Sequence, residues 1–225
     1  MEAKQQQTRG LFITLEGVEG CGKSTQIRHL AEVLTQAGRR VLQTREPGGT
    51  ASAEAIRQLL LTASSHERVT PQTEALLILA ERCQHVTLLI MPALRQGTVV
   101  LCDRFSDSTF AYQGFARSLD LQWLRAANKV ATGGLTPDLT LLLDLPVSVG
   151  LARRRNDPGQ QNRLDRETER FHRKVRRGFL ALASEEPGRI TIVNANRPAQ
   201  EVRDELTEIV LGWLARPRRS SRRRS

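Results

Sequence analysis

The sequence predicts an α/β fold in three layers: one five-stranded parallel sheet with helices on both faces. Three observations carry that expectation. Five short apolar runs, at residues 11–15, 41–44, 98–102, 139–144 and 190–193, alternate with stretches whose apolar residues recur three and four apart. Between the first run and the first helical stretch stands Gly17-Val18-Glu19-Gly20-Cys21-Gly22-Lys23-Ser24: a Gly, four residues, then Gly-Lys-Ser. The length, 225 residues, suits one α/β domain with a substantial core and is too short for two comfortable ones.

The loop is spelled for anion binding. Its glycines let the backbone wrap closely, so that successive N–H groups point inward. The helix that opens near Thr25 adds unpaired N–H groups and the positive end of its dipole. Lys23 supplies a mobile charge for the outer phosphates of a nucleotide, and the Ser24 hydroxyl can ligate Mg²⁺. The predicted fold is therefore a P-loop fold.

The remaining elements follow in order. Ile27, Leu30, Ala31 and Leu34 recur at helical spacing, and Gly38 stops that helix. After the second strand, Arg45-Glu46-Pro47-Gly48-Gly49-Thr50 is a loop whose Pro and glycines fix unusual backbone geometry. Helix resumes at Ala53 and carries Arg57, and residues 64–70 read as a polar linker. Pro71 opens a long helix with Leu76, Leu79, Cys83, Val86 and Ile90 on one face and Ile78, Arg82 and His85 on the next. The third strand ends at Asp103-Arg104-Phe105. Residues 153–166 break the pattern with Arg153-Arg154-Arg155, a polar Pro-Gly insert and Arg163-Leu164-Asp165-Arg166, the signature of a short mobile lid over nucleotide phosphates. A last helix spans about residues 198–215 on Val202, Leu206, Ile209, Val210 and Trp213. The domain plan is a flexible arm at 1–10, one kinase domain at 11–215 and a disordered Arg/Ser tail at 216–225.

A net charge of +10 suggests nucleic acid, but six arginines lie in residues 216–225, and 10 − 6 leaves +4 for the rest. That tail reads as solvated chain, with weak polyanion contact as the alternative. Aromatics make up 4% of the chain and form no stacking platform, which weighs against a nucleic-acid-binding protein. Cys21, Cys83 and Cys102 lack metal-ligand spacing and read as reduced thiols of a soluble cytoplasmic protein. No apolar stretch reads as a bilayer span, and the polar start lacks the apolar core of a signal peptide.

Phosphoryl transfer needs positioning and positive charge more than a strong nucleophile. In a parallel sheet the ligand crevice lies at the carboxyl ends of the strands, where the phosphate loop, residues 45–50 and Asp103-Arg104 converge. Lys23 and the lid arginines suit the donor phosphates, while Arg57, Arg82 and Arg104 are candidates for an acceptor's phosphate or base. Asp103 suits the Mg²⁺ shell or the attacking group. A GTPase would need a guanine-reading Asn-Lys-x-Asp; Asn128-Lys129 lacks the acid and reads as helix surface. A deoxynucleoside kinase would share the phosphate loop and Asp-Arg, but residues 45–50 do not suit it.

The run Glu16 to Thr25, the Arg45-Glu46-Pro47-Gly48-Gly49-Thr50 loop, Arg82 followed by Gln84-His85-Val86, and Asp103-Arg104-Phe105 through Ala111-Tyr112-Gln113-Gly114 resemble bacterial thymidylate kinase. Thr136-Pro137-Asp138-Leu139-Thr140 and Asn162-Arg163-Leu164-Asp165-Arg166-Glu167 extend the resemblance over about residues 11–213. The resemblance implies a homodimeric, Mg²⁺-dependent enzyme that passes a phosphoryl group from ATP to dTMP. It implies ATP binding by Gly17, Val18, Glu19, Gly20, Cys21, Gly22, Lys23, Ser24 and Thr25, with Ser24 and Asp103 at the metal. Glu19 would meet the sugar 3′-hydroxyl of dTMP, Arg57 and Arg104 its phosphate, and Arg82 the thymine carbonyl. Tyr112 would pack under the deoxyribose and reject ribonucleotides by shape, while Pro47, Ser108 and Gln113 line the acceptor site. Lys23, Asp103 and Arg104 would act in transfer together with a lid arginine, Arg154 or Arg155. In place of the family's usual Phe four residues before Arg82 stands Ile78, which covers thymine without aromatic stacking, and the usual Gly after Thr50 is replaced by Ala51.

Overall fold

The computed structural model describes residues 9–62, 69–156 and 163–215. The apolar runs become β1 (Phe12–Glu16), β2 (Val41–Arg45), β3 (Val99–Asp103), β4 (Leu139–Asp144) and β5 (Ile190–Asn194), in one parallel sheet of order β2-β3-β1-β4-β5. Side chains alternate faces along a strand, and the core divides accordingly. Ile13, Leu15, Val99 and Leu101 enter the larger cluster, while Phe12, Val100 and Cys102 pack with Val86, Ile90, Leu94 and Phe105 on the other side. The register pairs Leu15 with Asp103 and Glu16 with Leu142, so the chain leaving β1 emerges beside the end of β3.

The helices are α1 (Lys23–Gln36), α2 (Ala51–Leu61), α3 (Pro71–His85), α4 (Met91–Arg95), α5 (Ser106–Thr109), α6 (Leu121–Thr132), α7 (Val147–Arg155), α8 (Glu169–Glu185) and α9 (Ala199–Ala215). Their starts follow capping chemistry: Thr50, Thr70, Asp120 and Thr168 each accept a hydrogen bond from a backbone N–H of the first turn. Because Thr50 caps α2, Ala51 is simply its first helical residue, and no glycine is required there.

Several expectations are corrected. A π-helical turn, Val86–Ile90, joins α3 to α4, giving a continuous 25-residue helix, Pro71–Arg95, apolar and long enough to cross a bilayer by length and composition. Its buried Glu74, Glu81, Arg82 and His85 mark it as a helix of the protein interior. The anticipated stripe holds only in part: Leu79, Val86 and Ile90 are buried, but Leu76 and Cys83 face outward. Gly10, assigned to the arm, is buried and donates its N–H to Leu94 O, and Arg9 pairs with Asp138, so the folded part starts before residue 11. Arg153-Arg154-Arg155 form the last turn of α7 rather than an irregular insert. The expected linker at 64–68, the lid residues 157–162, the arm at 1–8 and the tail at 216–225 lie outside the described residues.

Candidate active site

The phosphate loop connects β1 to α1 and is closed by its own lysine. Lys23 Nζ donates to Gly17 O at 3.0 Å and Val18 O at 3.2 Å. Two glycines from different elements let the loop dock. A Cβ on Gly20 would lie 2.1 Å from Gly150 O, and one on Gly150 would lie 2.4 Å from Glu19 O, so α7 is packed backbone to backbone against the loop. Ser24 Oγ donates to Asp103 Oδ2 at 2.8 Å, the link that the β1–β3 register makes possible. These two hard oxygens fit Mg²⁺, which takes few protein ligands and completes its shell with phosphate and water.

A crevice of about 720 Å³ lies over this loop, lined by Glu19, Gly20, Gly22, Lys23, Ser24 and Thr25 and by Arg57, Asp103, Arg104, Arg153 and Arg154. Val18 and Cys21 are buried beneath the loop, so they offer backbone only. Arg155 is exposed and is not among the lining residues, so of the two lid candidates the fold brings Arg154 to the crevice, with Arg153 beside it. Burial, with Arg45 adding repulsion, weakens the hold of Arg57 on its proton; its Nη1 donates to Pro47 O at 2.8 Å.

A second, narrow cavity of about 60 Å³ adjoins it, with Pro47, Ile78, Arg82, Arg104, Ser108, Tyr112 and Gln113 in its wall. All the predicted acceptor residues except Glu19 and Arg57 line it, and those two line the crevice. Leu60, Arg163 and Leu164 cover its other side. Arg163 donates to Leu60 O at 2.9 Å and pairs with buried Glu74, which also accepts from Gln113 at 2.8 Å. Pro47 follows a cis peptide bond, and Gly49 approaches His85 so closely that a Cβ would meet its ring at 2.6 Å.

Buried charge organises the rest. Arg82 donates through Nε to Glu46 at 2.8 Å and through Nη1 to Asn128 at 2.9 Å, leaving Nη2 without a partner among the described residues. His85 bridges Glu46 and Thr44. Burial beside Glu46 pushes the Glu81 carboxyl up to about 9, so it is neutral at physiological pH. Glu19 accepts from Tyr112 Oη at 2.5 Å and Arg104 Nη2 at 3.2 Å. The His172 ring brings Nδ1 to 3.0 Å from Glu19 Oε2, a close contact without hydrogen-bond alignment. Burial opposes the Glu19 charge, but His172, Arg104 and Lys23 outweigh it and hold the carboxyl well below the usual range.

Sequence reasoning missed several of these groups. Asn128 is buried in the Arg82 network, not on a helix surface. Gly150 and His172 carried no motif; the available signal for His172 was its place beside Phe171 in a helix whose Phe171, Val175, Phe179 and Leu182 form the buried stripe.

A parallel sheet with a Gly-rich anion loop after its central strand, a Ser–Asp pair beside that loop and an arginine-lined pocket alongside defines a P-loop nucleotide kinase. The Thymidylate kinase family profile matches residues 15–206. Among relatives named thymidylate kinase, that of Trichlorobacter lovleyi is 49% identical over 212 residues, 92% of this chain and all of its own length. Those of Thermomicrobium roseum and Pseudomonas fluorescens are 51% and 50% identical, each aligning over 93% of this chain and 98% and 99% of their own. The chain belongs to the thymidylate kinase family.

Proposed function

We propose that the chain transfers the γ-phosphoryl group of ATP to dTMP, giving dTDP and ADP. One observation carries the reading beyond the family: the donor crevice and the acceptor cavity share a wall of Glu46, Pro47, Arg104 and Leu164. Two ligands that meet at Arg104 present a phosphate oxygen of one to the γ-phosphorus of the other. That oxygen attacks, the bond to the β–γ bridging oxygen breaks, and the charge passes to ADP.

The residues divide the work. Backbone N–H groups from Gly17 to Thr25 and the Lys23 ammonium hold the ATP phosphates, with Arg153 and Arg154 neutralising charge from the α7 side. Ser24 and Asp103 would hold Mg²⁺, which would supply positive charge against the donor phosphates. Arg104 Nη2 lies 3.2 Å from Glu19 Oε1, so one guanidinium and one carboxylate stand side by side at the junction. Arg104 and Arg57 take the 5′-phosphate of dTMP, and Glu19 takes the 3′-hydroxyl. Arg82 Nη2 meets the thymine carbonyl, Gln113 and Ser108 line the base, Ile78 covers it, and Tyr112 packs against the deoxyribose.

A homodimer in the cytoplasm completes the proposal. Leu76, Leu88 and Val130 are 56%, 57% and 83% exposed on or next to α3 and α6, which pack together, and a second copy would cover that apolar face. Free thiols at Cys21, Cys83 and Cys102 suit a reducing compartment. The test is an acceptor panel with MgATP: dTMP turns over well ahead of UMP, dCMP and thymidine, whereas turnover of thymidine without dTMP would overturn the proposal.

A further inference from the structure

We propose that Glu16 is a positioning residue whose single carboxylate fixes both the backbone and the guanidinium of Arg104. Glu16 ends β1, is fully buried and lines neither cavity, so it has no direct contact to offer a ligand. Arg104 does line both, and it is held in an unusual conformation: its φ is 70°, in the left-handed region that a side chain with a Cβ rarely occupies. Such a residue stays there only when its surroundings dictate it.

Glu16 supplies that constraint twice. The chain leaves β3 at Asp103; Arg104 N still pairs with Leu15 O at 3.0 Å, but the next N–H, that of Phe105, has left the strand ladder. Glu16 Oε1 accepts it at 2.7 Å. Oε2 accepts from Ser108 Oγ at 2.6 Å, and the same Ser108 oxygen accepts from Arg104 Nη1 at 3.1 Å. Nη1 also reaches Gly17 O, the residue after Glu16, at 3.1 Å. The carboxylate is thus the hub of a ring that closes through Phe105, Ser108 and both ends of Arg104. Burial, with Asp107 nearby, raises its pKa to about 8, against the pull of Ser108, Arg104 and the Phe105 N–H, so the ionised form that accepts at both oxygens prevails above that pH. A side chain with only volume to fill would not carry that burden. Glutamine cannot replace the ionised form: one amide oxygen accepts, but the NH₂ donates, so Ser108 must turn and its link to Arg104 changes.

The inference rests on Arg104 as the acceptor-phosphate ligand, and the test separates the two claims. Steady-state constants are measured at about pH 9, where Glu16 is ionised, for Glu16→Gln, Arg104→Ala and the double variant. The KM for dTMP rises about tenfold in Glu16→Gln while the KM for ATP stays within about twofold, and on the Arg104→Ala background Glu16→Gln adds less than about twofold. Equal rises in both KM values, or full additivity, would reduce Glu16 to general support of the fold. If Arg104→Ala leaves the KM for dTMP unchanged, the Arg104 assignment falls and takes this inference with it. If Glu16→Gln does not fold, Glu16→Asp decides, since it keeps the charge but draws the carboxylate back from Phe105 N–H and Ser108. Its rise in KM for dTMP must vanish on the Arg104→Ala background, and additivity there overturns the proposal.

Discussion

Arg82 has two duties, and the second changes how the first can be tested. Its Nη2 is the proposed thymine ligand, yet its Nε neutralises Glu46 deep in the protein. Removing one partner of a buried ion pair leaves the other uncompensated, so Arg82→Ala should destabilise the fold by roughly 3–5 kcal/mol. Chemical denaturation of the variant measures that loss, and its acceptor kinetics have to be read against it. The neighbouring Glu81 predicts the opposite. Its folded pKa of about 9 lies above the ordinary carboxyl value of 4.5, so the folded chain keeps a proton that the unfolded chain releases. The stability it contributes is fully present below pH 4.5 and is lost as pH rises toward 9. Glu81→Gln, already neutral, should therefore gain melting temperature over the parent steadily between pH 5 and pH 9; a constant difference across that range would show that Glu81 is ionised. Spacing along α3 placed Arg82 and His85 on one face, but not the carboxylates that neutralise them. Glu46 arrives from a loop 36 residues away and Asn128 from α6, and such partners leave no local periodicity to read.

The elements themselves were readable because their causes are local. Apolar runs specified every strand, and residues recurring three and four apart marked α1, α2, α3 and α9. Two features depended on contacts between elements and stayed hidden. The π-helical turn Val86–Ile90 rotates the residues after it relative to α3, so no single regular stripe runs the length of Pro71–Arg95. The docking of α7 on the phosphate loop depends on Gly150, an unremarkable residue in a helical stretch. Gly150→Ala would force a methyl into Glu19 O, so the loop and α7 must part. We expect a stability loss of about 1–3 kcal/mol together with a raised KM for ATP, since the loop cradles the donor. Unchanged ATP kinetics would show that the loop keeps its shape without α7. That docking also explains how arginines from a helix end reach a crevice built on another strand: Arg153 and Arg154 sit one turn beyond the contact.

Taken whole, the molecule places its donor and acceptor cavities at the carboxyl ends of the strands, and the proposed dimer face is built on α3 and α6. Val130→Asp should shift the chain to monomer in sedimentation experiments, and a monomeric parent protein would remove that part of the proposal. The tail at 216–225 holds six of the arginines behind the +10 charge, so its deletion should leave nucleotide turnover intact while weakening any salt-sensitive polyanion binding. Fold and chemistry were legible because the phosphate loop, the 45–50 loop and Asp103-Arg104 are each contiguous in sequence. The Glu16, Glu19 and His172 arrangement was not, since it joins β1, the phosphate loop, α5 and α8. The most direct test follows the label from ATP carrying ³²P at the γ position, incubated with dTMP and Mg²⁺. The label should appear in dTDP at a rate that Lys23→Ala lowers about a hundredfold or more. Label found only in inorganic phosphate, or an unchanged rate in that variant, would contradict a phosphoryl transfer organised by this loop.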